Sequence, residues 1–332
     1  MQLQRTFALL LLPLFVVCLV TKDKRADTHI ERAVAPSVLG TQLIPVASFE
    51  YGFTTATSFL TSPLTNISLS DSALGVTRAQ SNLPRPIVTP PSASSSSPPP
   101  PKSAYQATYP EGSINPGSDT PGGFGFYLSG EKSFTTRLAQ SGTKEVLMSY
   151  RLMFQKGWEW QKGGKLPGVF GGEGDLAFGC SGGRQQGRCQ CFNIRVMWRA
   201  NGEGEIYTYL PLTDGNDAVL TSIPPRSIRN TDYGYSVGRG SFNLSSAVGK
   251  WVTIAVRVRL NSIGKKDGEM QLWVDGTSAI NAKGLVIRGN NGATSRVKGS
   301  HFQTFFGGCS EDWASPQDQK AWFSDISGVI VE

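Results

Sequence analysis

The residues best suited to chemistry lie in one stretch of the chain, between residues 162 and 210. A glycine-rich loop there, K-G-G-K-L-P-G, carries two lysines, and two later runs, C-F-N-I-R-V-M-W-R and Y-T-Y, alternate with period two. Such alternation predicts half-buried strands whose side chains point to opposite faces in turn. The polar strand faces then carry Asn193, Arg195, Met197 and Arg199, followed by Tyr207 and Tyr209. A sheet face with Arg, Asn and paired Tyr suits a sugar polymer that carries carboxylates.

The elements that would position these residues form an all-β domain. Short alternating runs separated by Gly, Asn, Asp and Pro extend from Gln106 onward, and no long run has the helical period of 3.6 residues. The candidate strands are residues 144–154, 192–199, 206–210, 251–260, 269–274, 300–306 and 321–331. Many short strands with turn residues between them indicate a jelly-roll sandwich of two antiparallel sheets with apolar inner faces. One outer face would form a groove, lined by the polar strand faces together with His301 and Gln303.

The first twenty residues predict a secretory signal peptide. Arg5 precedes an uncharged apolar run over residues 7–20, which is too short to span a bilayer comfortably. We therefore expect residues 1–20 to be cleaved and the protein to be secreted and extracellular. No later segment is apolar enough to cross a membrane, so we expect no membrane contact in the mature protein.

Residues 21–105 differ in composition from the rest of the chain. Eight prolines lie between residues 84 and 101, and four serines lead directly into the last four of them. Such a segment has too few apolar residues for a packed core, which predicts a disordered, Ser/Pro-rich linker. The folded domain is accordingly predicted over residues 106–332, and removal of residues 21–100 is expected to leave it folded.

Four cysteines remain after the predicted signal, and secretion would place them in an oxidising compartment. Three pairings are open to them. We expect Cys180 to bond Cys191 and Cys189 to bond Cys309. The main alternative is the swapped pairing, because residues 189 and 191 point the same way on an extended chain.

Charge and surface motifs give a few further expectations. The formal net charge of +7 would help to attract a polyanion, but no basic run is dense enough to predict a nucleic-acid partner. We expect a monomer whose partner is an acidic polysaccharide. Two sequons predict N-glycosylation at Asn66 and Asn243.

Several motifs, in this order, resemble the fungal branch of polysaccharide lyase family 14. They are K-G-G-K-L-P-G, C-S-G-G-R, C-F-x-x-R-x-M-W-R, Y-T-Y-L, S-V-G-R-G-S-F, Q-T-F-F-G-G, W-A-S-P-Q-D-Q and W-F-S-D. The resemblance extends from about residue 122 to the C-terminus. It implies a concanavalin A-like jelly roll and the β-elimination of uronic-acid polysaccharides of the glucuronan or alginate type.

The resemblance also implies roles for individual residues. In the alginate-cleaving members of that family a Lys, a Ser-x-Arg pair and a Tyr-x-Tyr pair line the cleft. The matching catalytic candidates are Lys165, Arg195, Tyr207 and Tyr209, and Asn193 stands where those members have Ser. The candidates for substrate binding are Asn193, Arg199, His301 and Gln303.

β-Elimination removes the proton at C5 of a uronate and expels the sugar linked at C4. A cation or amide that binds the carboxylate stabilises the enolate-like intermediate, which Arg195 with Asn193 or Gln303 could do. Tyrosine could serve as both base and acid, and we expect Arg195 and Lys165 to lower the tyrosine pKa from about 10. This chemistry requires no metal or cofactor. A structural Ca²⁺ remains open, with Asp325 as a weak candidate ligand that no EF-hand spacing supports.

Three other functions fit parts of the sequence. A non-catalytic, lectin-like module would bind acidic glycans with the same groove. A serine hydrolase is suggested by G-Y-S-V-G at residues 234–238, but that motif needs a helix after it and no helical pattern follows. A glycoside hydrolase needs two carboxylates beside the scissile bond. Glu203 and Glu205 are candidates, but Gly204 between them predicts a turn.

Overall fold

The structure, a computed structural model, describes residues 37–94 and 98–332. Within these residues lie three short α-helices, α1 (Val38–Leu43), α2 (Lys132–Leu138) and α3 (Asp214–Thr221). The strands are β1 (Tyr51–Thr54), β2 (Leu64–Asn66), β3 (Val76–Thr77), β4 (Ile87–Val88), β5 (Ala104–Tyr109), β6 (Phe124–Leu128), β7 (Glu145–Phe154), β8 (Gly163–Gly172), β9 (Cys191–Arg199), β10 (Glu203–Tyr209), β11 (Ile228–Asn230), β12 (Gly234–Asn243), β13 (Val252–Arg259), β14 (Gly268–Val274), β15 (Thr277–Leu285), β16 (Arg296–Phe306) and β17 (Gln319–Ile330). The all-β prediction is confirmed.

The strands form two sheets packed face to face. The back sheet has the order β15-β14-β13-β7-β17-β1-β2, with β5 beside β17 and β4 beside β5. The cleft sheet has the order β11-β12-β10-β9-β8-β16-β6-β3. Among the described strands every pairing is antiparallel except the one between β1 and β2. The predicted jelly-roll sandwich is therefore confirmed.

The core lies between the two sheets and follows the predicted alternation. Four residues of β9 and four of β13 are buried in it: Phe192, Ile194, Val196 and Trp198, and Val252, Ile254, Val256 and Val258. Because successive side chains of a strand point to opposite faces, the same alternation sends the polar residues of β9 to the outer face of the cleft sheet.

Strand β8 was predicted as a loop because its glycines hide any period-two pattern. Gly164 lies directly under the indole ring of Trp198 on β9, and a Cβ atom at this position would overlap the ring. Gly204 in β10 lies in the same way under the ring of Phe242 on β12. The turn predicted at Gly204 is therefore wrong: glycine in these strands allows a ring to lie against the backbone.

The described part of residues 21–105 is ordered, unlike the predicted disordered linker. Strand β1 pairs with β17, and Leu39 and Leu43 of α1 pack with Phe59 against the outer face of the back sheet. Pro98 and Pro99 also contact the folded domain, because their carbonyl oxygens accept hydrogen bonds from Arg151. Scattered apolar residues suffice here because a folded sheet supplies the rest of the contact surface. The predicted signal peptide, residues 1–20, lies outside the described residues.

One of the two predicted disulfides is confirmed. Cys180 bonds Cys191 with a Cα–Cα distance of 5.8 Å, whereas Cys189 and Cys309 are free thiols. The carbonyl of Cys189 accepts from Gly289 N (2.8 Å), close to the start of β16, and Cys309 follows the other end of that strand. Eleven residues of strand span about 30 Å, so the two thiols cannot meet.

The structure also bears on the predicted metal ligand and on membrane spans. Asp325 is buried and its Oδ2 lies 3.2 Å from Nη1 of Arg151. Asp325 is thus paired with a cation, and no group of three or more His, Cys, Asp or Glu in the described ranges could hold a metal ion, so the structure gives no support to the calcium assignment. Residues 37–94 and 98–332 contain no helix that is long and apolar enough to cross a membrane.

Candidate active site

A cleft of about 670 Å³ lies on the outer face of the cleft sheet. Its floor comes from β8, β9, β10, β12 and β16, and its walls from the segments around residues 115–116, 181–182 and 307–313. Six of the eight predicted site residues line it: Lys165, Arg195, Arg199, Tyr207, Tyr209 and Gln303. The disulfide between Cys180 and Cys191 anchors one wall, which includes Ser181 and Gly182.

Lys165 is brought to the cleft by a bulge in β8. The register with both neighbouring strands shifts between Lys165 and Gly168, at a proline that has no N–H to donate. Leu166 turns into the core, and Lys165 lies opposite Met197 on β9, facing the cleft. The predicted catalytic lysine is therefore a strand residue and not a solvated loop residue.

The surroundings of Lys165 disfavour its charged form. Its side chain is 8% exposed, and Nζ donates to Met197 Sδ (3.2 Å) and lies 3.4 Å from the centre of the Tyr207 ring. No carboxylate of the described residues lies within 4.0 Å of Nζ. Burial, with Arg195 and Arg199 nearby, places the pKa of Lys165 well below its usual value. The uncharged amine, the form of lysine that can accept a proton, is thereby favoured.

Arg195 is held in place by its neighbours on two sides. Its Nη1 donates to Gln303 Oε1 (2.9 Å), its Nη2 to Gln303 O (2.7 Å), and its Nε to Leu166 O (3.3 Å). Burial lowers the pKa of Arg195 to about 10, which leaves it a cation at neutral pH. Each terminal nitrogen keeps one further N–H, so the guanidinium can still bind a carboxylate in the cleft.

Tyr207 and Tyr209 pair with Arg195 and Asn193 across β10 and β9, and their ring centres are 5.5 Å apart. The pKa of each hydroxyl is raised, mainly by burial, although Arg199 acts in the opposite sense on Tyr207 and Arg195 on Tyr209. The expectation that nearby cations lower these pKa values is therefore wrong, because burial outweighs them. Both hydroxyls stay protonated and can donate a proton.

Asn193 lies on the same face of the cleft sheet as Arg195, but it and its partner His301 are buried there and do not line the cleft. They are 2% and 5% exposed, and Asn193 Nδ2 lies 2.9 Å from His301 Nδ1. The His301 ring stacks on Tyr127, with 4.2 Å between ring centres, and burial places its pKa well below the usual value. Neither residue meets the cleft, so the prediction that they contact substrate is not supported by their positions.

Residues that the sequence argument missed lie around Arg199. Its partner is Glu205, whose carboxylate is fully buried and also accepts from Ser236 (2.5 Å) and Arg239 (2.8 Å). Ser236 is the serine of G-Y-S-V-G, but it lies within β12 and donates to a carboxylate, which excludes a nucleophile elbow. Burial raises the pKa of Glu205, but its two arginine partners and Ser236 outweigh that effect and lower it, which disfavours the protonated form that the acid of a glycoside hydrolase needs. The motif S-V-G-R was the available signal for Arg239.

Comparisons with known proteins agree with this geometry. The model of the family Polysaccharide lyase 14 matches residues 98–326, more than half of the chain. A marine PL-14 alginate lyase from Aplysia kurodai is 29% identical, with a TM-score of 0.61 over 78% of this chain and 91% of that one. An alginate lyase from Chlorella virus shares the fold at 19% identity, with a TM-score of 0.57 over 78% and 93% of the two chains.

A curated relative matches a smaller part of the chain. Exolysin of Paramecium bursaria Chlorella virus 1 is 24% identical over 177 residues, which is 49% of this chain and 26% of that protein. The match thus spans about a quarter of the length of that relative. The extent of the family match, together with the cleft on the jelly-roll sheet, shows that this chain belongs to polysaccharide lyase family 14.

Proposed function

We propose that the protein is a secreted polysaccharide lyase that cleaves a uronic-acid-containing polysaccharide, of alginate or glucuronan type, by β-elimination. One observation carries the proposal: a buried lysine without a carboxylate partner lies in the cleft between a fixed arginine and a tyrosine that stays protonated. These are the base, the carboxylate-binding cation and the acid that β-elimination requires.

We assign one residue to each chemical step. Arg195, fixed by Gln303, binds the carboxylate of the reacting uronate and stabilises the charge that develops when C5 loses its proton. The uncharged amine of Lys165 takes that proton. The electron pair of the C5–H bond forms the double bond between C4 and C5, and the bond from C4 to the linking oxygen breaks. Tyr207, whose ring lies against the amine of Lys165, donates its proton to that oxygen.

This assignment changes the roles expected from the sequence. Tyrosine was expected to act as both base and acid, but raised pKa values suit Tyr207 and Tyr209 only to donating a proton. The lowered pKa of Lys165 suits it to accepting one. We assign Tyr209, which lies 5.5 Å from Tyr207 between ring centres, to aligning the sugar that leaves.

The composition of the cleft supports a polyanionic substrate. Its lining includes Lys165, Arg195, Arg199 and Arg239 and no Asp or Glu from the part of the chain that the structure describes. The printed activity of the Aplysia relative makes alginate the first substrate to test. Secretion is supported by the apolar N-terminal run and by the disulfide between Cys180 and Cys191, because such bonds persist in oxidising compartments.

The test is the ultraviolet absorbance of the unsaturated product when alginate, glucuronan and other uronans are incubated with the protein. Lys165→Ala and Tyr207→Phe are each expected to lower kcat at least about a hundredfold, which is typical for losing an acid or a base. Lys162→Ala is the matched control, because Lys162 belongs to the same glycine-rich segment but pairs with Asp312 outside the cleft lining. Full activity in both cleft variants would refute the assignment. Uronan binding by the wild type without unsaturated product would favour the lectin-like function.

A further inference from the structure

Glu205 is a buried carboxylate that the proposed elimination does not use. It is fully buried in β10, and its two oxygens are shared between two arginines that line the cleft. Oε1 lies 2.9 Å from Nε and 2.7 Å from Nη2 of Arg199. Oε2 lies 2.8 Å from Nε of Arg239 and 2.5 Å from Ser236 Oγ. All acceptor positions of the carboxylate face these groups, so it has no free side toward the cleft.

The two arginines retain donors for a further anion. Arg239 donates from Nε to Glu205 and from Nη2 to Ser236 Oγ (3.1 Å). Arg199 contacts Glu205 through Nε and Nη2. Among the described residues the Nη1 group of either arginine has no protein acceptor. Their side chains are 12% and 19% exposed, at the cleft surface. Two cations share one carboxylate, so the cluster keeps one positive charge in a partly desolvated position, which favours binding of an anion.

This cluster is separate from the place where Arg195 would hold the reacting uronate. Arg195 and Arg199 lie four residues apart on the same face of β9, so their Cα atoms are about 13 Å apart. Tyr207 lies between them, paired with Arg195 in the sheet and with its ring centre 5.9 Å from the Arg199 guanidinium carbon. With Tyr207 between the two sites, we take a second anion at Arg199 and Arg239 to belong to another sugar of the same chain.

We propose that Arg199 and Arg239 form a second carboxylate subsite, which binds a neighbouring uronate of the polymer. Glu205 is its positioning residue: it holds both guanidiniums in place through one buried carboxylate. The proposal rests on the proposed function for the identity of the polymer. A buried carboxylate next to the cleft would be expected to repel a polyanionic substrate. Glu205 does not, because its charge is neutralised by the two arginines that it orients.

The experiment compares Arg239→Gln with the wild type by steady-state kinetics on uronan polymer and on oligosaccharides of increasing length, at about 0.15 M salt. We expect KM for the polymer to rise about tenfold while kcat stays within about twofold, because uniform binding is lost. The effect should grow with chain length. Arg229→Gln is the matched control, because Arg229 lies on the neighbouring strand β11, pairs with Asp217, and does not line the cleft. It should leave KM unchanged, since that salt screens distant charges.

Two further variants test the positioning role. Arg239→Lys should raise KM less than Arg239→Gln does, because the positive charge is kept. Glu205→Gln should raise KM at least as much as Arg239→Gln, because both arginines lose the carboxylate that holds them. An unchanged KM in Arg239→Gln, an equal fall in kcat at every chain length, or the same change in Arg229→Gln would overturn the subsite. If the wild type cleaves no uronan, the proposed function fails, and calorimetric binding of the polymer decides the subsite alone. Weaker binding by Arg239→Gln than by Arg229→Gln then supports it, and equal binding refutes it.

Discussion

At the scale of single residues, burial sets the protonation states in the cleft. It lowers the pKa of Lys165 and raises those of Tyr207 and Tyr209, so all three are pushed toward their uncharged forms. The arginines remain charged because a guanidinium holds its proton far more strongly. The cleft therefore places three side chains that burial pushes toward their uncharged forms beside arginines that stay charged.

These protonation states predict the pH dependence of kcat/KM. A base must be unprotonated, so activity should rise with pH as Lys165 loses its proton, with an apparent pKa well below the usual value for lysine. An acid must be protonated, so activity should fall only above about pH 10, where the tyrosines begin to ionise. The measurement is kcat/KM between about pH 5 and 11. Lys162→Ala should keep both limbs, and a rate that falls steadily from pH 6 to 9 would contradict the assignment.

At the scale of elements, the cleft depends on glycines that let aromatic rings lie on strands. Gly164 of β8 lies under Trp198 of β9, which is fully buried and packs edge-to-face against Phe306 of β16. Lys165 follows Gly164 directly. The position of the Lys165 amine on the cleft side of β8 therefore depends on how the Trp198 ring packs against the core side of that strand.

Gly164→Ala is predicted to destabilise the protein by about 1–3 kcal/mol, because the added methyl group overlaps the Trp198 ring and neither can move freely. Activity should fall as well, since Lys165 shifts with the strand. The matched control is Gly142→Ala, because a Cβ atom there meets nothing within 4 Å. The free energy of unfolding from urea denaturation measures the effect. Equal stability of the two variants would show that the ring packing is not limiting.

At the scale of the whole molecule, the segment before the family match is part of the folded structure. The family model begins at residue 98, but α1 and strands β1 to β4 precede it. Helix α1 covers the back sheet, β1, β2 and β4 belong to that sheet, and β3 pairs with β6 at the edge of the cleft sheet. A cluster on the outer face of that sheet includes Leu147, Ala255 and Trp273, and α1 buries it. Without the segment this apolar surface would face water.

Truncation tests this directly and reverses the expectation from the sequence. A protein that begins at residue 98 should melt at least about 10 °C below one that begins at residue 37. We expect the truncation to cost several kcal/mol of stability, and each kcal/mol lowers the Tm of a domain of this size by about 2–4 °C. Exposed apolar surface should also increase binding of a hydrophobic dye. The protein that begins at residue 37 is the control. Equal melting temperatures would restore the prediction of a dispensable linker.

Much of the fold and half of the site follow from sequence periodicity. The alternation in residues 192–199 and 251–260 assigned both the strands and their inner faces, because a side chain on an extended backbone has only two sides to occupy. The same alternation placed Arg195, Tyr207 and Tyr209 on one surface. These assignments are local, and the structure agrees with each of them.

Other features depend on which distant elements meet, and only the tertiary structure decided them. The pKa of Lys165 is lowered because β9 and β10 bury its side chain, and Asn193 of β9 is buried against His301 of β16, which is 108 residues away in sequence. Cys189 and Cys309 stay apart because a whole strand separates them. The segment from residue 37 is ordered because the back sheet completes its contacts. Burial and long-range contact are properties of pairs of elements, and no single stretch of sequence contains them.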